Sequence, residues 1–153
     1  MSAAANALHA LAAVIWVGGM FFAYMVLRPA VGGIEPPPQR LQLWSRVFPR
    51  FFAWVWAAVI ALPVSGYYRL FADFGGMSGA GLHIHAMQAL AMIMILLFFY
   101  LFNGPYLGFR KAVAAEDWAA AGGQLNTIRR IVATNLVIGL VTTGIGASGR
   151  LWP

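Results

Sequence analysis

Three histidines are the residues in this sequence whose chemistry suits a metal or a cofactor. His9 lies in the first apolar run, and His83 and His85 lie at the start of the third. An ionisable side chain within a membrane-spanning segment is costly unless it faces protein, water or a ligand, so it is a candidate for function. Imidazole binds copper and haem iron, and the thioether of Met87 suits Cu(I). A third interpretation needs no ligand: each histidine hydrogen-bonds to water, to a lipid headgroup or to a neighbouring helix.

The composition places the chain in a membrane. Of its 153 residues, 61% are hydrophobic and 9% are charged, whereas about 25% of the residues in a soluble domain are charged. The sequence has no cysteine, so a metal would need histidine, methionine, carboxylate or backbone ligands. The basic residues are scattered between the apolar runs, so the net charge of +6 indicates membrane topology rather than nucleic-acid binding.

Four runs with few or no charges are long enough to cross a bilayer as helices. They predict a single domain over residues 1–153, an all-α integral membrane four-helix bundle with short interfacial helices in the cytoplasmic loops. The four helices are expected at about 5–27, 51–69, 81–103 and 131–148. The first run has the length of a signal peptide as well, but no basic residue precedes it, and we therefore expect a membrane helix.

Two of the runs contain residues that shape a helix or its packing. Pro63 is expected to kink the second helix, because its ring crowds the carbonyl of Val59 and it lacks an amide hydrogen. The fourth run is rich in glycine and hydroxyl residues, which allow helices to approach closely. We therefore expect the fourth helix to pack inside the bundle.

The two longer connections contain amphipathic stretches. In the first, Leu41, Trp44 and Phe48 recur at helical spacing with arginines between them, which predicts a short helix in the membrane interface. In the second, a short surface helix is expected around Trp118, and the glycine pair at 122–123 is expected to end it. No stretch of linker composition separates two domains.

Basic residues are divided unequally between the two sides of the predicted bundle. Eight of them lie in the loops after the first and third helices, and Arg69 and Arg150 lie on the opposite side. Because cytoplasmic loops carry an excess of lysine and arginine, we expect a multi-pass protein of a bacterial-type inner (plasma) membrane with both termini outside the cytoplasm. His9, His83 and His85 then lie at similar depth on the outer face.

The two histidines of the third helix point in different directions. A helix turns by about 100° per residue, so His83 and His85 diverge by roughly 200°, and at most one of them shares a centre with His9. Ala12 and Ala13 follow His9 on its own face of the first helix, and two small residues leave room for a flat or bulky ligand. Spacing alone does not choose between a metal and haem.

Three segments resemble a known family of membrane proteins. They are LHALAAVIWVGGMFF in the first helix, SRVFPRFFAWVWAAVIALPVSGYYRL in the second, and RRIVATNLVIGLVTTGIGASGR at the end. Together they are similar to the four-helix membrane domain of the CopD family, which is associated with copper resistance and uptake. The resemblance implies a protein without a catalytic role that handles copper, in uptake, export or resistance, at a histidine site on the outer face. The metal ligands expected there are His9, His83, His85 and Met87.

The sequence is also similar to the HemJ-type protoporphyrinogen oxidases, four-helix proteins thought to hold haem b. Their histidine in helix one and their His-x-Lys in helix three fall on His9 and His85, and the lysine position is Met87. This resemblance implies bis-histidine ligation of haem b by His9 and His85. On the same basis we predict that these two residues share one centre, for copper or for haem, and that His83 points elsewhere.

Three functions therefore follow from the sequence. The first is copper handling. The second is a b-type haem-binding membrane redox protein, HemJ-like or cytochrome-b-like, which as an enzyme would be a haem-dependent membrane oxidoreductase. The third is an assembly subunit without a ligand. The expected partners are the lipid bilayer, a second copy of the chain and a periplasmic copper-binding or redox protein, and no nucleic acid. All four carboxylates lie outside the apolar runs, which argues against a proton relay through the membrane.

Overall fold

The computed structural model describes residues 2–149, which form four long helices joined by short connections. The helices are α1 (Ala3–Gly32), α2 (Pro37–Phe74), α3 (Leu82–Ala114) and α4 (Trp118–Ser148). Each is long and apolar enough to cross a membrane. The connection between α2 and α3 contains one short 3₁₀ turn, Met77–Gly79. The predicted all-α integral membrane bundle is confirmed.

Helix α3 extends beyond the end that the sequence predicted. Gly104 and Pro105 suggested a stop, but the chain passes through them in a wide π-helical turn, Phe102–Tyr106, and remains helical to Ala114. A proline lacks an amide hydrogen and crowds the preceding turn, and a wider turn accommodates both effects. Two similar turns, Val14–Gly18 and Phe22–Leu27, interrupt α1.

The segments predicted as separate interfacial helices are continuous with the membrane helices instead. Helix α2 begins at Pro37, and its side chains Trp44 and Phe48 are both 4% exposed. They belong to the core of the bundle, and the Phe48 ring packs edge-on against Phe109 of α3 at a centroid distance of 5.4 Å. These rings continue the buried face of the membrane-spanning part of α2. Burial of one continuous face favours one long helix over a break near Arg50.

Helix α4 likewise runs through the glycine pair that was expected to end a short helix. Asp117 caps it, since its side-chain carboxylate accepts a hydrogen bond from the backbone amide of Ala120 at 2.9 Å. Ala121 and Leu125, on either side of the glycine pair, are buried. Their packing offsets the low helix propensity of glycine, so the helix continues.

The four helices pack as antiparallel neighbours, with α1 along α2 and α3 along α4. Gly139 of α4 lies close to side chains of both α1 and α3. A Cβ atom at this position would be 3.0 Å from Val17 of α1 and 3.1 Å from Met94 of α3. Nearby, the Asn135 side-chain amide donates to the backbone carbonyl of Met94 at 3.2 Å. Small and polar residues of α4 thus allow close contact with α1 and α3, although the helix as a whole is no more buried than α1 or α3.

The core is filled unevenly along the bundle. Towards the ends of α1 and α3, aromatic rings of α2 and α3 pack in a continuous cluster of edge-on and stacked contacts. Its members are Trp44, Phe48, Phe52, Trp56, Phe98, Phe102, Tyr106 and Phe109. At the opposite end, beyond Trp16, the described chain buries few side chains, and these include Ala12, Ser65 and Leu70. We call these the aromatic end and the histidine end.

Candidate functional site

All three histidines lie at the histidine end of the bundle, where α1 and α3 begin and α2 and α4 finish. Contacts between helices connect these four ends. They are His9 with Ser65, Gln88 with Tyr67, and His83 with Gly149. The common location agrees with the topology argument from the sequence, although the membrane side on which this end lies stays a prediction.

His9 is held in a defined orientation by helix α2. Its Nδ1 atom lies 2.9 Å from the hydroxyl oxygen of Ser65. That hydroxyl donates its one hydrogen to the backbone carbonyl of Ala61 at 2.6 Å and, less closely, towards Leu62 at 3.2 Å. Because the hydroxyl hydrogen is used there, we infer that Nδ1 of His9 carries a hydrogen and donates it to Ser65. In a neutral imidazole, Nε2 is then the nitrogen with a free lone pair, which can bind a metal or haem iron.

Gly66 provides the space for the His9 ring. A Cβ atom at this position would be 3.2 Å from Cε1 of His9 and 3.6 Å from its Nδ1. Ser65 and Gly66 together therefore position the ring, one through a hydrogen bond and the other through the absence of a side chain. The sequence interpretation assigned neither of them to the site. The available signal was a Ser-Gly pair in an apolar run at the predicted depth of His9.

His83 lies against the last described turn of α4. A Cβ atom at Gly149 would be 3.0 Å from Nε2 of His83, and one at Gly81 would be 3.0 Å from its Nδ1. The half-buried ring thus occupies space that two glycines leave open. Neither glycine was identified from the sequence as a neighbour of a histidine.

Met87 follows His83 by one helical turn and, like His83, faces α4. A Cβ atom at Gly146 of α4 would be 2.8 Å from its Cε and 3.3 Å from its sulfur. An imidazole and a thioether therefore lie on one face of α3, four residues apart, next to small residues of α4. This combination of donors suits Cu(I).

His85 lies on a different side of α3 from His83. Gln88, three residues further on and hence on the same side as His85, donates a hydrogen bond to the Tyr67 hydroxyl of α2 at 2.7 Å. His85 is half-buried, and from the contact of Gln88 with α2 we expect it on the side of α3 towards the helix that orients His9. The predicted divergence of His83 and His85 matches these contacts, and the shared centre of His9 and His85 stays a prediction.

The donor set limits what this end of the bundle can bind. Among the described residues, no three His, Cys, Asp or Glu side chains are grouped to hold a metal ion. A site here would therefore use two imidazoles, or an imidazole with the Met87 thioether. Asp73, towards the end of α2, pairs with Arg69 at 3.5 Å. Hard cations such as Mg²⁺ and Ca²⁺ prefer several oxygen ligands, so these donors favour a soft metal ion.

A family model described as CopD, copper resistance protein D, matches residues 45–148, which is more than half of the chain. The match covers most of α2 and all of α3 and α4, so it includes His83, His85 and Met87 but not His9. Searches of curated proteins and of solved structures found no match.

Proposed function

Because the chain belongs to the copper resistance protein D family, we propose that it is a copper-handling membrane protein that binds Cu(I) at its histidine end. The family and the four apolar helices make it a multi-pass membrane protein related to copper resistance. The observation that supports the site most directly is the hydrogen bond from His9 to Ser65, which leaves Nε2 of His9 free to bind a metal.

His9 and His85 are the proposed copper ligands. Two imidazole nitrogens at about 2 Å from the metal would form the centre between α1 and α3, next to α2. Their rings belong to different helices, so a bound ion would connect the two helix pairs of the bundle. His83 and Met87 offer a second pair of donors on the α4 side of α3, from which copper would enter or leave the centre.

The proposed role is binding and passage of copper, without catalysis. The site lies at the predicted outer face, where a periplasmic copper-binding or redox protein would deliver or receive the ion. A second copy of the chain is a further proposed partner. The sequence prediction of topology supports this arrangement through the excess of basic residues at the aromatic end.

The test is metal binding by the purified protein in detergent. We expect one bound Cu(I) in competition with a chelator of known affinity, and an optical spectrum without a Soret band. His9→Ala and His85→Ala should each weaken Cu(I) binding more than about tenfold, because each removes a ligand, and His83→Ala should change it much less.

Three results would contradict this proposal. A Soret band in the purified protein, lost in His9→Ala and His85→Ala, would assign the same residues to haem b. Absence of both copper and haem in a correctly folded protein would favour an assembly subunit without a ligand. Equal losses of Cu(I) affinity in His83→Ala and His85→Ala would contradict the assignment of His9 and His85 as the ligand pair.

A further inference from the structure

A cavity of about 590 Å³ lies at the aromatic end of the bundle, far from the histidines. It is formed by the end of α1, the start of α2 and the first turns of α4. Arg28, Arg40 and Arg129 line it, one from each of these helices, together with Asn126 and Trp118. The proposed copper site does not use any of these residues.

The positive charge in this cavity is poorly compensated. Arg40 has one carboxylate nearby, Glu35, at 3.9 Å, and the Glu35 side chain is 69% exposed. Arg28 stacks over the Tyr24 ring at 4.8 Å. Within residues 2–149, neither Arg28 nor Arg129 has a carboxylate at ion-pairing distance. Three guanidinium groups therefore converge with one weak counter-charge, which favours binding of an anion.

Arg129, which lines this cavity, also has an unused hydrogen-bond donor. Its Nη1 atom donates to the Asn126 side chain at 3.4 Å, a long contact. Its Nε atom is buried and has no hydrogen-bond partner in the described part of the chain. A buried donor of this kind is normally satisfied. The planar fork of arginine matches the oxygens of a phosphate group, which can accept from Nε and Nη together.

An apolar cleft of about 450 Å³ adjoins the arginine cavity. Tyr24, Arg28 and Arg129 line both spaces, so the two are neighbours. The rest of the cleft wall is mainly apolar and aromatic, and it includes Phe22, Leu27, Val47, Phe51 and Val132. Phe22 is 55% exposed on the outer surface of α1, where it would meet lipid. A ligand that fits both spaces has an anionic head and an apolar chain.

We propose that these two spaces together bind one anionic phospholipid, with its phosphate between Arg28, Arg40 and Arg129 and an acyl chain in the adjoining cleft. Basic pockets between membrane helices on the cytoplasmic side recognise lipid headgroups in this way. The bound lipid would connect α1, α2 and α4 at the end where the basic residues are concentrated. This proposal does not depend on the copper site.

The experiment measures binding of phosphatidylglycerol to the full chain after delipidation in detergent. Tryptophan fluorescence is a direct readout, since Trp118 lines the cavity and Trp44 and Trp54 line the cleft. We expect phosphatidylglycerol to bind roughly tenfold more tightly than phosphatidylcholine with the same acyl chains. Inorganic phosphate, which lacks the acyl chain, should bind far more weakly than phosphatidylglycerol.

Two variants with the same change of charge test the assignment. Arg129→Gln should weaken phosphatidylglycerol binding by roughly tenfold. Arg130→Gln, the neighbouring exposed residue on α4, which lines neither space, should change it less than about twofold. If Arg129→Gln does not fold, Arg28→Gln takes its place, because Arg28 is exposed and its replacement leaves the core unchanged.

Four results would overturn the proposal. Equal binding of the two lipids would exclude recognition of an anionic headgroup. Equal losses in the Arg129 and Arg130 variants would show a general charge effect without a site. Inorganic phosphate that binds as tightly as phosphatidylglycerol would assign the cavity to a free anion. Ala23→Phe narrows the cleft, so it should weaken binding of phosphatidylglycerol and leave binding of inorganic phosphate unchanged. Unchanged binding of phosphatidylglycerol in this variant would exclude an acyl chain from the cleft.

Discussion

At the scale of single residues, Ser65 determines which nitrogen of His9 can meet a ligand. Its hydroxyl is committed to the backbone one turn earlier, so it can only accept from the imidazole. Partners of this type fix the orientation and the tautomer of a metal-binding histidine. The short polar side chain on α2 is therefore part of the proposed site although it does not contact the metal.

Replacing Ser65 tests this role. In Ser65→Ala the His9 ring loses its hydrogen-bond acceptor and can rotate or change tautomer, and we expect Cu(I) affinity to fall by roughly 10–100-fold. Competition titration with a Cu(I) chelator measures the change. Ser65→Thr, which keeps the hydroxyl, is the control and should retain most of the affinity. Equal losses in both variants would show that the hydroxyl does not act through His9.

Gly66 offers a test that separates Cu(I) affinity from stability. The new Cβ of Gly66→Ala would be 3.2 Å from Cε1 of His9, so the ring must shift, and we expect several-fold weaker Cu(I) binding. Alanine favours a helix over glycine by up to about 1 kcal/mol, so the thermal unfolding temperature should not fall. Gly144→Ala is the control, because apart from the neighbouring backbone of its own helix no described atom lies within 4 Å of a Cβ there. A fall in stability without a change in affinity would contradict this account.

The positions of the histidines were predictable, and their neighbours were not. Sequence spacing and the count of basic residues placed all three histidines at one end, because charge-free runs of similar length alternate in direction across a membrane. Contacts such as His9 with Ser65, or Met87 with Gly146, depend on the rotation of each helix about its axis. Uniformly apolar helices give little sequence signal for that rotation, since most of their faces look alike.

At the scale of helices, α4 holds the bundle together through small residues. Gly139 separates side chains of α1 and α3 that would both touch a Cβ atom at about 3 Å. Close approach of this kind stabilises membrane helices by van der Waals contact. The number of helices followed from the apolar runs, but their lengths did not, because the turn at Pro105 and the burial of Trp44 and Phe48 became visible only in the packed structure.

A larger side chain at Gly139 should destabilise the whole bundle. Gly139→Leu would insert a side chain between Val17 and Met94, and overpacking of this kind costs about 1–3 kcal/mol. Unfolding of the purified protein, followed by loss of helical circular dichroism, measures the change. Gly144→Leu, one turn further along α4 and without described neighbours at that position, should unfold close to the original protein. Leucine favours a helix over glycine, so an equal destabilisation at both positions would show that close packing at Gly139 is not the cause.

At the scale of the whole molecule, the two ends of the bundle differ in charge and in filling. The aromatic end carries most of the basic residues and the arginine cavity, and the histidine end carries the proposed copper ligands. The orientation of the protein in the membrane therefore decides which compartment supplies the copper and which leaflet supplies the lipid.

Reporter fusions test that orientation. A reporter at the C-terminus should be active outside the cytoplasm, because eight of the ten basic residues lie in the loops after the first and third predicted helices. A reporter inserted at Glu116, in the connection between α3 and α4, should be active inside, and this position leaves both helices intact. Neutralising Arg150 alone is a control that should not invert the pattern. The reverse pattern would place the histidines on the cytoplasmic face.

Because the core is filled unevenly, the two ends of the bundle differ in how easily they open. Local opening of a structure costs least where few apolar side chains are buried. At the histidine end those are mainly Ala12 and Leu70, whereas the other end is held by eight interlocking rings. The first turns of α1 and α3 can therefore separate while the rest of the bundle stays closed. An ion held between them could be exchanged with the surroundings through this fraying, as fast as the helix ends open and without a change in the arrangement of the four helices.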